Sequence, residues 1–559
     1  MPLTYMLKTA LRRPEPLERL SSLDAQFLHL EDDASPMHIA AMCTFEGPVP
    51  SREDIIRLMS SRLSRIPRYR QVIRVPPLEL GRPVWVDDQK FKLAYHIRRI
   101  ALASPYDDAS LNAMMGRLIS MRLDRSRPLW ELYIVEGLKD GRWALISKTH
   151  HAMVDGIAGT NLIAILLDDT PDAELEEPQP WTPQPEPSRL TLLQDAWRGF
   201  YEDSWVAQRT LWAQLRRPEV ALRAWRDLAT GLTNYWRTVL TPTRSSMSGT
   251  IGKHRAYAHT VVSLSDVQRI RKTLGGTVND VVMTAVAGGY RAILQSRGCD
   301  PDKEVMRTLM PVSVRTPDAH GAVNNQVSFL LCDLSINLKD PVERLGMIHV
   351  ETKRLKKSRM AEAGAFLNAL GNLTAPWISG PVTRGIGKLM HKYPQRSFGT
   401  VTTNVPGPPR ALYLMGRKML DWFPYVPISQ GQRLGTAILS YAGKLGFGFT
   451  ADYDTVPDVD VMAQGVKETF DELLTRVRHH TEHPPKLETP EVRTLRRDKV
   501  EDNDNALPEQ EALAGEKTDA GSPASLVGAA AALSPNPTPA TPPTGGPSAP
   551  NGARALRNT

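Results

Sequence analysis

The sequence predicts an α/β protein of two domains followed by a disordered tail, and three observations predict it. Strand-like and helix-like segments alternate twice, first between about Leu20 and Asp169 and again between about His254 and His480. The stretch Thr170 to Ser188, TPDAELEEPQPWTPQPEPS, separates the two runs, and its prolines cannot continue a helix. From about Pro484 a charged stretch, RTLRRDKVEDNDN, gives way to Ala, Pro, Gly and Ser, too little apolar surface to form a core. The expected divisions are 1–169, then 170–250 as linker and helical segment, 251–483, and a disordered 484–559.

Each element has its own signal. Met37 to Phe45, Leu132 to Val135 and Trp143 to Lys148 read as strands, while Asp54 to Ile66 and Leu111 to Leu123 repeat apolar residues at helical spacing. In the second run, Val305 to Val314, Gln326 to Leu334 and Thr436 to Ala451 are strand-rich, with Ala442, Gly443 and Lys444 as a turn. Arg189 to Leu240 carries Trp197, Trp205, Trp212, Trp225 and Trp236 with eight arginines and no lysine. The first three tryptophans fall near one helical face, and Pro218 divides the segment into two helices. Such a segment suits either a membrane interface or packing at a domain junction.

The chemistry is concentrated in THHAMVDGIAG, Thr149 to Gly159. A strand leads into it and Gly156 to Leu167 has helical periodicity, so His150 and His151 sit on a strand-to-helix turn. An imidazole of pKa about 6.5 is largely neutral near neutral pH and can remove a proton from a hydroxyl. Asp155 either caps the following helix or holds the loop through a charged partner. A packed or solvated His pair is the bland alternative. A metal site is not expected, because no zinc-helix glutamate is present and no cysteine lies near enough to complete a ligand set.

His-His-x-x-x-Asp-Gly after a strand resembles the active-site motif of the CoA-dependent acyltransferase superfamily, which includes chloramphenicol acetyltransferase and condensation domains. From about Leu20 to His480 the chain is similar to the wax ester synthase/acyl-CoA:diacylglycerol acyltransferase family. The supporting segments are LSSLDAQFLHLEDDASPMHIA, RPLWELYIVEGL, TVNDVVMTAVAGGYR, PVSVR and NVPGP, in that order. Two departures are local: Asn324 stands where the family often has Gly, and Thr403 where Ser is common.

The resemblance implies two chloramphenicol-acetyltransferase-like domains with a channel between them. It makes His151 the base that deprotonates the acceptor, with His150 helping to shape the site and Asp155 orienting the loop, and the Gly156 N–H is one candidate donor to the oxyanion. Arg315 is a candidate partner for Asp155, or else an exposed arginine at a strand end. Asn279 and Asp280 either cap a helix or lie beside the channel, and Pro128, Leu129 and Trp130 are placed with substrate. No cofactor is implied, acyl-CoA being a substrate. The expected product is triacylglycerol from diacylglycerol, with wax esters from long-chain alcohols, and no covalent acyl-enzyme. The absence of a Gly-x-Ser-x-Gly elbow and of a Walker A loop agrees. Alternatives are a different acceptor or a carrier-protein thioester, and a non-catalytic protein that coats lipid droplets.

Composition bounds the rest. With 69 Lys and Arg against 61 Asp and Glu the formal net charge is +8, which favours an anionic partner. No zinc-finger spacing, helix-turn-helix signal or basic block interleaved with aromatics points to nucleic acid. Anionic lipid headgroups and the CoA phosphates fit better. Three scattered cysteines, Cys43, Cys299 and Cys332, suggest a reducing compartment. Neither a signal-peptide core nor a run of eighteen apolar residues is found, so the expectation is a cytoplasmic protein attached peripherally to the inner membrane face or to lipid inclusions.

Overall fold

A computed structural model describes residues 17–153, 161–215, 245–313, 327–358 and 396–482, with short stretches between 226 and 243 and at 381–389. Asp155, Gly156, Arg315, Trp225, Trp236, Pro218 and the expected tail lie outside the described residues, as does the side chain of Trp212.

The first domain runs α1 (Ser22–Leu30), β1 (His38–Phe45), α2 (Arg52–Arg62), β2 (Gln71–Arg74), β3 (Val84–Asp87), α3 (Leu93–His96), β4 (Ile97–Ala101), α4 (Asp108–Ser120), β5 (Trp130–Glu136), β6 (Trp143–His150) and α5 (Asn161–Leu166). A long helix, α6 (Arg189–Leu215), precedes the second domain. The second half of the chain contains β7 (Arg255–Ser263), α7 (Leu264–Leu274), α8 (Val278–Ser296), β8 (Arg307–Ser313), β9 (Val327–Asp333), α9 (Pro341–Lys357), β10 (Thr400–Val405), β11 (Tyr413–Leu414), β12 (Arg417–Tyr425), β13 (Leu434–Tyr441), β14 (Lys444–Asp452) and α10 (Val459–Glu482).

Each domain is built on a six-stranded mixed sheet, ordered β11-β12-β1-β6-β5-β4 in the first and β7-β14-β13-β10-β8-β9 in the second. The hairpin β11–β12 is contributed by the second half of the chain, so the expected division at 251 does not hold for the sheets. β12 pairs antiparallel with β1, Ala40 facing Tyr425 and Cys43 facing Trp422. The same hairpin crosses β14 at close range. A Cβ on Gly446 would stand 2.1 Å from the Trp422 carbonyl oxygen, and one on Gly448 1.8 Å from that of Pro424. Only glycine at these two positions lets the sheets meet.

The strands predicted at Met37, Trp143, Val305 and Gln326 are present with bounds shifted by a few residues. Thr436 to Ala451 is indeed a hairpin: Ala442 and Gly443 both have positive φ, 45° and 79°, as a two-residue turn requires, and Lys444 already belongs to β14. The Pro-rich stretch 170–188 has no helix, but it is bound to the first domain and does not hang free. Trp181 meets Phe91 edge-on, the Arg70 guanidinium lies over its ring, and Gln184 donates its backbone N–H to Asp87.

The first sheet divides the core of its domain into two layers. Phe45, Trp130, Leu132, Trp143, Leu145 and Trp422 pack on one face with α2. Met42, Tyr133, Ile146, Phe423 and Tyr425 pack under α4 on the other. β6 runs through the middle, every residue from Trp143 to His150 buried, which gives the histidine pair a rigid support.

Candidate active site

His150 and His151 are the points at which β6 leaves the sheet. The His150 N–H donates to the Leu129 carbonyl at 2.9 Å and the His151 N–H to the Met37 carbonyl at 2.8 Å, so neighbouring strands fix both residues by their backbones. The two imidazoles both meet the first helix, His151 through Phe27 and His150 through Glu31. A single 3-10 turn, His151–Met153, follows.

The ring of His151 stacks on Phe27 of α1, centroids 3.9 Å apart and planes 24° from parallel. Its Nδ1 is buried without a hydrogen-bond partner among the described residues. Burial, and secondarily the charge of His150, push its pKa down to about 4, while its own backbone carbonyl acts weakly the other way. The imidazole is therefore neutral at physiological pH, as a proton acceptor must be.

His150 is held differently. Its Nδ1 accepts the Ala152 N–H at 3.0 Å, which leaves the ring proton of the neutral form on Nε2. Nε2 faces Glu31 Oε1 at 3.7 Å, both side chains 1% exposed. Opposite His150 in the sheet is His38, fully buried, with both ring nitrogens unpaired among the described residues. Burial, then Lys148 and His150, hold its pKa well below the usual histidine value. Lys148, also buried, donates to the Leu118 and Met121 carbonyls at the end of α4 and lies 3.3 Å from Glu131. A buried ammonium is tolerated there because helix-terminal carbonyls and a carboxylate surround it.

The other predicted residues fall into two groups. Pro128, Leu129 and Trp130 are buried wall, not exposed lining. Leu129 anchors His150 through its carbonyl, and the Trp130 indole donates to the Tyr69 carbonyl at 2.8 Å while stacking on His96 at 4.5 Å. The structure thus gives this element a supporting position behind the histidine strand. Asn279 and Asp280 sit in the first turn of α8, but the N-cap is Thr277, and Asp280 closes a capping box with it. Asp280 also accepts from Thr352 Oγ1 at 2.8 Å and pairs with His349 Nδ1 at 2.8 Å. Burial alone would raise its carboxyl, yet the bonds from His349, Thr352 and Thr277 hold it below the usual range. Asn279 Oδ1 accepts from Asn404 Nδ2 at 3.4 Å, joining the NVPGP segment to the Asn-Asp segment.

The sequence alone does not single out Phe27 or Glu31. Both lie in the opening segment LSSLDAQFLHLE, and nothing in their local pattern distinguishes them from ordinary helix residues.

Comparison with known proteins adds the identity of this arrangement. The description "Wax ester synthase/diacylglycerol acyltransferase catalytic domain" matches residues 20–282, and "WS/DGAT C-terminal domain" matches 323–474. A probable diacylglycerol O-acyltransferase of Mycobacterium tuberculosis, tgs1, is 36% identical over 460 residues, 82% of this chain and 96% of its own length. The chain belongs to the wax ester synthase/diacylglycerol acyltransferase family. It is accordingly an acyltransferase. A second relative from the same organism, tgs2, also a probable diacylglycerol O-acyltransferase, is 29% identical over 459 residues, 80% of this chain and 97% of its own length. The wax ester synthase/diacylglycerol acyltransferase from Marinobacter aquaeolei VT8 superposes with a TM-score of 0.58 at 23% identity, covering 82% of this chain and all of the other. The trichothecene 15-O-acetyltransferase TRI3 from Fusarium sporotrichioides superposes with a TM-score of 0.50 at 11% identity, over 81% of this chain and 94% of that one. These likenesses establish the two-domain, chloramphenicol-acetyltransferase-like fold.

Proposed function

We propose that this family member transfers a long-chain acyl group from acyl-CoA to the free hydroxyl of diacylglycerol, giving triacylglycerol, and accepts long-chain alcohols to give wax esters. The observation that carries the reading is the state of His151: a half-buried, neutral imidazole, fixed by a backbone bond to Met37 and stacked on Phe27. The names of the relatives supply the acceptor.

His151 takes the acceptor proton as the hydroxyl oxygen attacks the thioester carbonyl, forming a tetrahedral oxyanion. Collapse breaks the C–S bond, and the CoA sulfur leaves with the proton that the imidazolium returns. No bond between acyl group and protein forms. The stack on Phe27 holds the ring plane during both transfers, because its geometry depends little on which nitrogen bears the proton.

The acceptor is a lipid, and α6 offers a surface for reaching it. Leu192, Asp195 and Ala196 face the protein, Asp195 pairing with Arg19 at 2.7 Å, whereas Trp197, Tyr201 and Trp205 project outward at 69%, 70% and 54% exposure. Among the described residues no helix is long and apolar enough to cross a membrane. Peripheral attachment to the cytoplasmic membrane face or to lipid inclusions through this aromatic row fits both facts.

Purified protein given labelled acyl-CoA with diacylglycerol or hexadecanol should form ester with each, and His151→Ala should lose about a hundred- to ten-thousand-fold in rate. A protein that only coats lipid would form no ester with either acceptor. Undiminished turnover by His151→Ala would remove the proposed base.

A further inference from the structure

We infer that Glu31 is a positioning residue of the acyl-transfer site: its buried carboxylate orients His150, and through it the turn that presents His151. The inference rests on the reading of His151 as the base.

Glu31 is the C-cap of α1, four residues beyond Phe27, and its side chain is 1% exposed. A buried carboxylate is expensive unless its lone pairs are filled. Here they are. Oε1 accepts the Met37 N–H at 3.2 Å and lies 3.7 Å from His150 Nε2. Oε2 accepts from Arg125 Nε at 2.9 Å, Arg125 Nη2 at 2.5 Å and Arg122 Nη2 at 3.2 Å. Burial alone would raise its pKa, but His150 and Arg125 outweigh it and hold the group well below the carboxylate range.

Three parts of the site converge on this one group. The helix that ends at Glu31 carries Phe27 onto His151. Met37, whose N–H Glu31 accepts, gives its carbonyl to the His151 N–H. The segment between them is itself fixed: Asp32 accepts the N–H groups of Ala34 and Ser35 at 2.9 and 2.7 Å, Asp33 pairs with Lys253 and Arg122, and the Ala34 carbonyl accepts from Arg255.

His150 explains why the charge matters. With Nδ1 committed to the Ala152 N–H, the ring presents an N–H at Nε2; it makes no hydrogen bond among the described residues, and the Glu31 carboxylate 3.7 Å away supplies through its charge the negative end that this orientation needs. A flipped ring would turn carbon toward the carboxylate and lose the bond to Ala152, the residue immediately after His151. Glu31 is thereby coupled to the base without touching substrate. A misplacement of about 1 Å at a catalytic group can cost about a hundredfold in rate, so loosening this support should be visible in turnover.

Glu31→Gln keeps the shape and removes the charge. In the full chain, measured by CoA thiol release, its kcat should fall about tenfold or more while the KM for acyl-CoA stays within about twofold. The melting curve should remain a single cooperative transition. Because the effect runs through His150, the double variant Glu31→Gln/His150→Ala should be no slower than His150→Ala alone. A kcat within about twofold of the parent, or losses that multiply in the double variant, would overturn the inference. If Glu31→Gln does not fold, the paired variant Arg122→Gln/Arg125→Gln decides, since both arginines are partly exposed: kcat should drop, and an unchanged kcat counts against the role. His151→Ala in the same series separates the two readings. An active His151→Ala defeats the proposed base, whereas a dead His151→Ala beside a fully active Glu31→Gln defeats only the role of Glu31.

Discussion

Phe27 lies nearly flat against His151, centroids 3.9 Å apart, so the second histidine of the pair is held by an aromatic residue from the helix that opens the first domain. Stacking of this kind contributes about 1 kcal/mol beyond area burial, and it also restricts rotation about the imidazole χ2. Phe27→Leu should therefore retain the fold but lower kcat by about tenfold, with a smaller effect on KM. Steady-state kinetics beside a thermal melt tests this. A change confined to KM would place Phe27 against substrate and not against the base.

Asp280 invites a prediction of the opposite kind. Its oxygens serve Thr277, His349 and Thr352 together, so Asp280→Ala removes one half of the capping box and the carboxylate partner of the half-exposed His349 and the buried Thr352. Caps and buried hydrogen bonds of this sort are each worth about 1 kcal/mol, and the summed loss should be about 2 to 4 kcal/mol. Chemical denaturation should show the loss, with kcat of the folded fraction changed by less than about threefold. Normal stability with collapsed kcat would instead put Asp280 in contact with the reaction.

How much of this was legible beforehand depends on how local the signal is. β6 and the histidine turn were readable because alternation and a short motif are properties of adjacent residues. The capping box is also a local pattern, Thr277 followed three residues later by Asp280, whereas the sequence reading assigns the cap to Asn279 and Asp280. The pairing of β12 with β1 was not readable, since nothing around Arg417 says which distant strand it will join. The resemblance places Trp130 with substrate because its motif is distinctive. Its packing against Tyr69 and His96 is visible only in the tertiary structure. Glu31 escaped notice for a related reason: an acidic residue at a helix end reads as surface until Arg122, Arg125 and His150 are seen around it.

Buried histidines make the fold sensitive to acid well above the carboxylate range. Burial lowers the pKa of His38, His96, His151 and His259, those of His151 and His259 to about 4. The unfolded chain protonates each near pH 6.5, whereas the folded chain does so only at its lower value. Between these limits the unfolded state binds more protons, so stability is whole above about pH 6.5 and declines as pH falls. At about pH 5, each histidine with a folded pKa near 4 costs about 2 kcal/mol. Urea unfolding at about pH 7.5 and about pH 5 should differ by several kcal/mol, and His259→Gln should recover part of the difference. Equal stability at the two pH values would contradict the burial of these rings.

The outward row on α6 sets the last expectation. Trp197, Tyr201 and Trp205 follow one another at intervals of four, so they share one face, and Phe200 extends it at 46% exposure. The opposite face is fixed to the protein by Leu192 and Ala196, with Asp195 bound to Arg19 and Ala196 seated against Gly81. Removing outward side chains should accordingly leave folding unaffected. Indoles at headgroup depth and guanidiniums on phosphate are the two contributions to interfacial binding, and the first is nearly independent of salt while the second is screened. Trp197→Ser/Trp205→Ser should therefore weaken sedimentation with phosphatidylglycerol-containing vesicles by about tenfold even at high salt, with an unchanged melting temperature. Turnover should fall on vesicle-borne diacylglycerol and stay level on a short, water-soluble alcohol acceptor. Equal vesicle binding by parent and variant would show that α6 does not face the lipid.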